Sequence, residues 1–230
     1  MKLAVMQPYL FPYIGYFQLI YASDLFLLYD DVAYIKQGYI NRNTISSPNG
    51  VARFTIPVPG ASSNKLIKEL SFSNDVTKVL RTIEQSYSKA SNFADVFPLV
   101  ERILQHEDRS IASVCMKSYQ EIFTYLGIQK RFRKTSELDY DRTASAKDRL
   151  IALSHKFEAD CYINAPGGRS LYIKDDFEKS GVSLKFIDTL PLHYQQGTGE
   201  YVPHLSIIDV LMHCSPKEVR GLLARYELSK

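Results

Sequence analysis

The chain has 230 residues, 45% of them hydrophobic and 23% charged, and 28 basic against 25 acidic side chains leave a net charge of +3. That balance suits one globular unit with a sizeable core, excludes disordered and fibrous classes, and gives no strong field for nucleic acid or an anionic membrane. No apolar run is long enough to span a bilayer and the start lacks the pattern of a secretory leader, so a cytoplasmic protein without membrane insertion is expected. Cys115, Cys161 and Cys214 are odd in number and far apart, which suggests neither a disulfide framework nor a zinc knuckle; no metal and no cofactor are expected.

In chain order, Lys2 to Met6 reads as a short strand that Pro8 and Pro12 prevent from continuing in a sheet centre. A loop follows, then a short helix from Ile14 to about Ala22-Ser23-Asp24. "LFLLYDD" is a continuous apolar run ending in two carboxylates, the pattern of a strand buried on both faces whose end emerges into solvent. Strand, loop, helix, strand makes a β-α-β unit. Arg53 to Val58 and Leu66 to Phe72 read as further strands, with "PGASSN" as turn material between them. From about Asp75 to Leu126 apolar residues recur at helical spacing, with Ser73-Asn74-Asp75 and Asp108-Arg109-Ser110 as N-caps. "KRFRK", Lys130 to Lys134, alternates like a solvated edge strand. Ala146 to Phe157 reads as a helix, "CYINA" and "SLKFID" as strands, and Ser206 to His213 and Pro216 to Tyr226 as closing helices. The expected fold class is α/β, a Rossmann-like β-α-β core over about 1–72 and 129–230, with a predominantly helical segment at about 75–128 in one domain.

Ligands of open parallel sheets bind beyond the carboxyl ends of the strands. "QPYLFPYIGY" occupies such a position after the first strand. Gln7 offers an amide that donates and accepts, Tyr9, Tyr13 and Tyr16 offer flat faces with polar tips, and Gly15 lets a ligand or backbone approach closely. The alternative for these aromatics is to plug the end of the sheet. After "LFLLY", Asp30, Asp31, Lys36, Asn41, Arg42 and Asn43 form a polar constellation. Adjacent carboxylates point apart on an extended chain, so one of Asp30 and Asp31 is expected to face the site while the other caps or pairs. Arg42 and Lys36 suit a phosphate or carboxylate, or a structural ion pair. In "HYQQGTGEYVPHLSIIDVL", Gln195 and His204 are candidate ligand contacts, while Ser206 and Asp209 combine site candidacy with the roles of an N-cap and a first-turn carboxylate. "NAPGGRS" lacks the spacing of a Walker loop or dinucleotide fingerprint and reads as a turn.

"MQPYLFPYIGYFQLI", "DLFLLYDDVAYIKQGYINRNTI", "ADCYINAPGGRSLYIKDDFEKSGVSLKFI" and "YQQGTGEYVPHLSIIDVLM" together resemble the WbqC-like family of bacterial surface-polysaccharide gene clusters. Gln7, Pro8, Tyr9, Pro12, Gly15, Tyr16, Asp30, Asp31, Lys36, Asn41, Arg42, Asn43, Gln195, Pro203, Leu205, Ser206 and Asp209 fit its pattern, whereas His204 and Ile40 fall where that pattern varies. The resemblance implies an enzyme of O-antigen or related glycan assembly that adds glycine or another acyl group to an amino sugar. The implied partners are a nucleotide-linked amino sugar and an acyl or aminoacyl carrier, the donor being a carrier thioester, an aminoacyl-tRNA or an ATP-activated amino acid. Asp30 or Asp31 is the candidate base, with Lys36 beside them. The alternatives are a non-catalytic protein that binds a nucleotide sugar or glycan, and a divergent nucleotidyltransferase. "FPYIGY" lies where nucleotidyltransferase-like proteins carry His-x-Gly-His, but Tyr13 and Tyr16 replace both histidines, and a phenol titrating near 10 is a poor substitute.

Overall fold

A computed structural model describes residues 1–197 and 200–229. Thr198 and Gly199 of the glycine-bearing loop lie outside them. The chain runs β1 (Lys2–Met6), α1 (Ile14–Ala22), β2 (Leu25–Leu28), a hairpin of β3 (Arg42–Ser47) and β4 (Gly50–Thr55), then α2 (Thr77–Tyr87), α3 (Phe93–Leu104) and α4 (Ile111–Tyr125). β5 (Arg131–Lys134), α5 (Ala146–Lys156), β6 (Cys161–Asn164), α6 (Lys174–Glu178), β7 (Ser183–Thr189), α7 (Ile207–His213), α8 (Pro216–Leu223) and β8 (Tyr226–Ser229) complete it. The main sheet has the order β5-β2-β1-β6-β7-β8. Its first five strands are parallel, and β8 runs antiparallel to β7. This is the expected α/β, Rossmann-like architecture with its helical middle segment.

Two-residue periodicity divides the core between the faces of the sheet. Ala4, Phe26, Leu28, Ile163 and Ile187 join the larger cluster with α1, α4, α7 and α8. Leu3, Val5, Leu25, Leu27, Tyr162, Leu184 and Phe186 pack instead with Leu150 and Leu153 of α5 and Phe177 of α6. β2 is buried at every position because both of its faces are covered. α1 is apolar nearly all round and almost wholly buried, as such a helix must be. Its one interior polar side chain, Gln18, donates to the carbonyls of Leu222 (2.9 Å) and Arg225 (3.0 Å) and accepts from Thr189 Oγ1 (2.7 Å). α1 is thereby fixed to the end of α8 and to β7.

Three local expectations change. β4 is Gly50–Thr55, and its partner is the preceding β3 across Pro48-Asn49, so "PGASSN" does not join paired strands. Leu66 to Phe72 contains a 3-10 turn at Ile67–Glu69 with only isolated bridges beside it. Ile67 and Leu70, three positions apart, are both buried, a spacing that brings them to one side of a 3-10 turn, whereas a strand would send them to opposite faces. The closing helix stops at Leu223, and β8 follows where it was expected to continue. The edge strand β5 is as expected, with Arg131 and Arg133 exposed, and Ser110 caps α4 by accepting from the Ser113 amide. No helix among the described residues is long and apolar enough to cross a membrane.

Replacing Gln18 with Leu removes three hydrogen bonds, although the Leu222 and Arg225 carbonyls each keep a backbone amide donor. Gln18→Leu is expected to lower the unfolding free energy by about 2–3 kcal/mol in urea titrations with an unchanged slope; a loss below about 0.5 kcal/mol would mean that α1 is not anchored through this side chain.

Candidate functional site

β1 lies between β2 and β6, so the chain turns to opposite sides of β1, and its carboxyl end is a topological switch point, the place where ligands of such sheets bind. The loop from Gln7 to Tyr13 leads away from that point, between β1 and α1. It cannot use ladder bonds, and each of its buried polar groups needs another partner. Tyr119 Oη accepts from the Tyr9 amide (2.9 Å) and donates to the Tyr9 carbonyl (2.7 Å), and Tyr16 Oη donates to the Gln7 carbonyl (2.6 Å). Asn43 Nδ2 and Ser206 Oγ both donate to the Phe11 carbonyl at 2.7 Å, and the Ile207 amide donates to that of Pro12. Phe11 is buried in the left-handed region, φ 45°, a conformation such surrounding contacts hold against its cost.

Several expected ligand contacts therefore hold the loop or its supports. Tyr16 and Asn43 are buried with their polar atoms on loop carbonyls, and Ser206 also caps α7 by accepting from the Ile208 amide. Asn41 accepts from Tyr34 Oη and donates to the Ile56 carbonyl. Asp209 is fully buried and accepts from Tyr87 Oη (2.6 Å) and Tyr194 Oη (2.8 Å). Burial and then the Asp209 charge push both hydroxyls far above their usual range, keeping them protonated donors.

Most other candidates keep part or all of their surface exposed. Gln7 is partly buried, and its Oε1 is enclosed without a hydrogen-bond partner. The Tyr9 ring packs against Tyr16 and Tyr39, and Tyr13 meets His204 edge-on at 5.6 Å; burial raises the hydroxyls of Tyr9 and Tyr13. Gly15 is required by close approach, because a Cβ there would stand 2.3 Å from Tyr13 Cε2 and 3.0 Å from Thr189 Oγ1. Lys36 and Gln195 are exposed. Arg42 Nε donates to the Gly38 carbonyl, and among the described residues neither Lys36 nor Arg42 pairs with a carboxylate. The exposed Ile35 and Tyr39 share their loop.

Asp30 and Asp31 were expected to diverge, yet both engage the segment after β5. The chain bends as it leaves β2, the Asp30 amide bonding to the Leu28 carbonyl, and an extended geometry no longer separates the two side chains. Asp30 accepts from the Ser136 amide and hydroxyl, while Asp31 accepts from Thr135 Oγ1 (2.5 Å), Tyr140 Oη (2.9 Å) and Arg142 Nε (2.8 Å). Beside them, sequence reading missed Tyr29, Tyr140, Arg149 and Tyr172. The three tyrosines pack against the second core cluster, and the Arg149 guanidinium lies 5.8 Å from the Tyr29 ring centre. An arginine in a helical pattern carries no signal of this until the helix is docked. Burial raises the thiols of Cys115 and Cys161 and pushes Cys214 up to about 11, so each is protonated at neutral pH.

The WbqC-like protein family model matches residues 7–221. The chain is also 30% identical over 217 residues to the uncharacterized protein Rv1507c of Mycobacterium tuberculosis, covering 92% of this chain and 93% of that protein. No solved structure matches the chain.

In a helix, Gly→Ala ordinarily gains up to about 1 kcal/mol. At position 15 the overlap with Tyr13 outweighs it, so Gly15→Ala is expected to destabilise by about 1–3 kcal/mol. In a Tyr13→Ala background the same change is expected to be neutral or stabilising. Thermal unfolding of this cycle checks the contact; additive effects would show that Tyr13 does not rest on Gly15.

Proposed function

The chain belongs to the WbqC-like protein family, and from that premise we propose that it is a transferase that forms an amide on a nucleotide-linked amino sugar, adding a glycine-like or other acyl group for surface polysaccharide. The observation that carries this reading is Gln7 Oε1, enclosed at the switch point of the sheet with no partner. A buried acceptor of this kind calls for a ligand N–H or O–H, which the amine or hydroxyls of an amino sugar supply. Tyr9 and Tyr13 offer ring faces for the sugar or base, and Lys36 and Arg42, without carboxylate partners, suit the diphosphate.

In the proposed reaction the neutral amine attacks the acyl carbon. The carbon–nitrogen bond forms, the nitrogen gives up a proton, and the bond to the carrier breaks with that proton delivered to the leaving group. Asp31 is the base in this scheme and is reached through Tyr140, whose hydroxyl bridges both of its oxygens at 2.9 Å. Asp30, bonded to Ser136, holds the segment that carries Tyr140. One observation favours a second reading, a non-catalytic sugar-nucleotide binder: both carboxylates already have protein donors, and a binder has no use for a base.

Native mass spectrometry against nucleotide-linked amino sugars and their non-amino counterparts tests the first reading. Selective retention of an amino sugar is expected, and equal or no retention would overturn it. With a retained acceptor in hand, Asp31→Asn is expected to lower transfer at least 10²-fold while the acceptor dissociation constant stays within about threefold, whereas unchanged binding with no transfer by any variant or by wild type would establish the binder.

A further inference from the structure

Among the described residues, only four buried side-chain nitrogen or oxygen atoms lack a hydrogen-bond partner: Gln7 Oε1, Tyr29 Oη, Arg109 Nε and Arg149 Nε. Arg109 is otherwise satisfied, its terminal nitrogens donating to the carbonyls of Leu104 and Ser73. The other three belong to the carboxyl end of the sheet. Met6 pairs with Leu28, so Gln7 and Tyr29 are the next residues of adjacent strands, and the Tyr29 amide donates to the Met6 carbonyl. Alternation carries Gln7 onward from Leu3 and Val5, and Tyr29 from Leu25 and Leu27, all of which face α5. Arg149 comes from α5 to lie against the Tyr29 ring.

Arg149 differs from the other arginines of this edge. Arg142 is spent on Asp31 and on carbonyls, and Arg169 on Asp188. Arg149 makes no ion pair among the described residues, and its Nε is enclosed without an acceptor. A partly buried guanidinium left in that state is costly, as is a buried phenol with no partner. Tyr172 packs on the same core cluster as Tyr29; burial raises the hydroxyls of both, and the Arg149 charge acts in the opposite direction. The Arg149 guanidinium and the Tyr29 ring thus lie together at the carboxyl end of the sheet, with Tyr172 on the same core cluster, and among the described residues nothing accepts from Arg149 Nε or Tyr29 Oη.

We propose that Arg149, Tyr29 and Tyr172 form an oxyanion pocket next to Gln7, which takes a carboxylate or phosphate group through the Nε edge of the guanidinium and the tyrosine hydroxyls. A planar guanidinium matches either group with paired N–H bonds, and phenols add neutral donors that need no second charge. The pocket deepens the transferase reading and rests on it only for which reactant carries the oxyanion. A carboxylate would belong to an amino-acid donor, and a phosphate to a phosphorylated donor or carrier.

The test is titration of the full chain, labelled with nitrogen-15 in arginine, with glycine and separately with inorganic pyrophosphate, following the Arg149 Nε–H resonance. One of the two is expected to shift that resonance saturably, and which one does so identifies the source. Arg149→Gln is expected to weaken that binding at least tenfold and Tyr29→Phe about threefold or more, while Arg169→Gln leaves it unchanged. Tyr29→Phe removes only an unpartnered hydroxyl, so its melting temperature is expected to equal or exceed that of wild type, which separates lost binding from lost folding. Failure of both probes to shift the resonance, or equal affinity in wild type and Arg149→Gln, would overturn the pocket. Loss of pyrophosphate or glycine binding in Arg149→Gln together with equal retention of amino and non-amino sugar nucleotides would keep the pocket and sink the transferase.

Discussion

A loop with two prolines passes through the interior at the end of β1, and its main-chain polar groups have to be satisfied there without a ladder. The solution is a set of side chains brought from far along the chain: the Tyr119 hydroxyl takes both polar groups of Tyr9, and Asn43 and Ser206 share the Phe11 carbonyl. Much else in the fold serves that requirement. The helical segment delivers Tyr119, the hairpin delivers Asn43, and the start of α7 delivers Ser206, so three elements outside the first β-α-β unit meet over one short stretch of backbone. What remains exposed of the loop is held in place by what is buried.

The second organising device lies on the other side of β1. Asp30 and Asp31 leave β2 and take donors from Thr135, Ser136, Tyr140 and Arg142. Their burial is tolerable because each charge is surrounded by hydroxyls, an amide or a guanidinium. The arrangement fastens the connection between β5 and α5 to the sheet, and with it the helix that carries Arg149. The carboxyl end of the sheet is thus held on one side by neutral hydrogen bonds to backbone and on the other by two carboxylates.

Strands β1, β2, β6 and β7 were legible because burial leaves an apolar record in the sequence, and the longer helices because their apolar residues recur at helical spacing, whereas α6, only five residues long, was not read. β3 escaped because "RNTISS" is polar at five of its six positions, and its buried Asn43 is there to reach a loop, not to fill a core. β8 escaped because "YELS" follows a helix with no glycine or proline between them. For the site, the sequence reading found the right stretches but could not divide them. Tyr9, Tyr13 and Tyr16 look alike in one dimension, yet Tyr16 is buried on a carbonyl while the other two keep part of their surface. Arg149 was invisible for the reason that its role depends on what stands opposite α5, which no local pattern records.

The long reach of the bonds that secure the loop also orders events in time. A ribosome makes Phe11 well before its partner Ser206, 195 positions later, and Gln18 precedes Arg225 by 207. Until those residues emerge, the largely apolar α1 has only part of its cover, and the first loop has carbonyls without donors. The first loop and α1 are consequently among the last parts to be completed, and a chain halted before α7 would present them unfinished to whatever surrounds it.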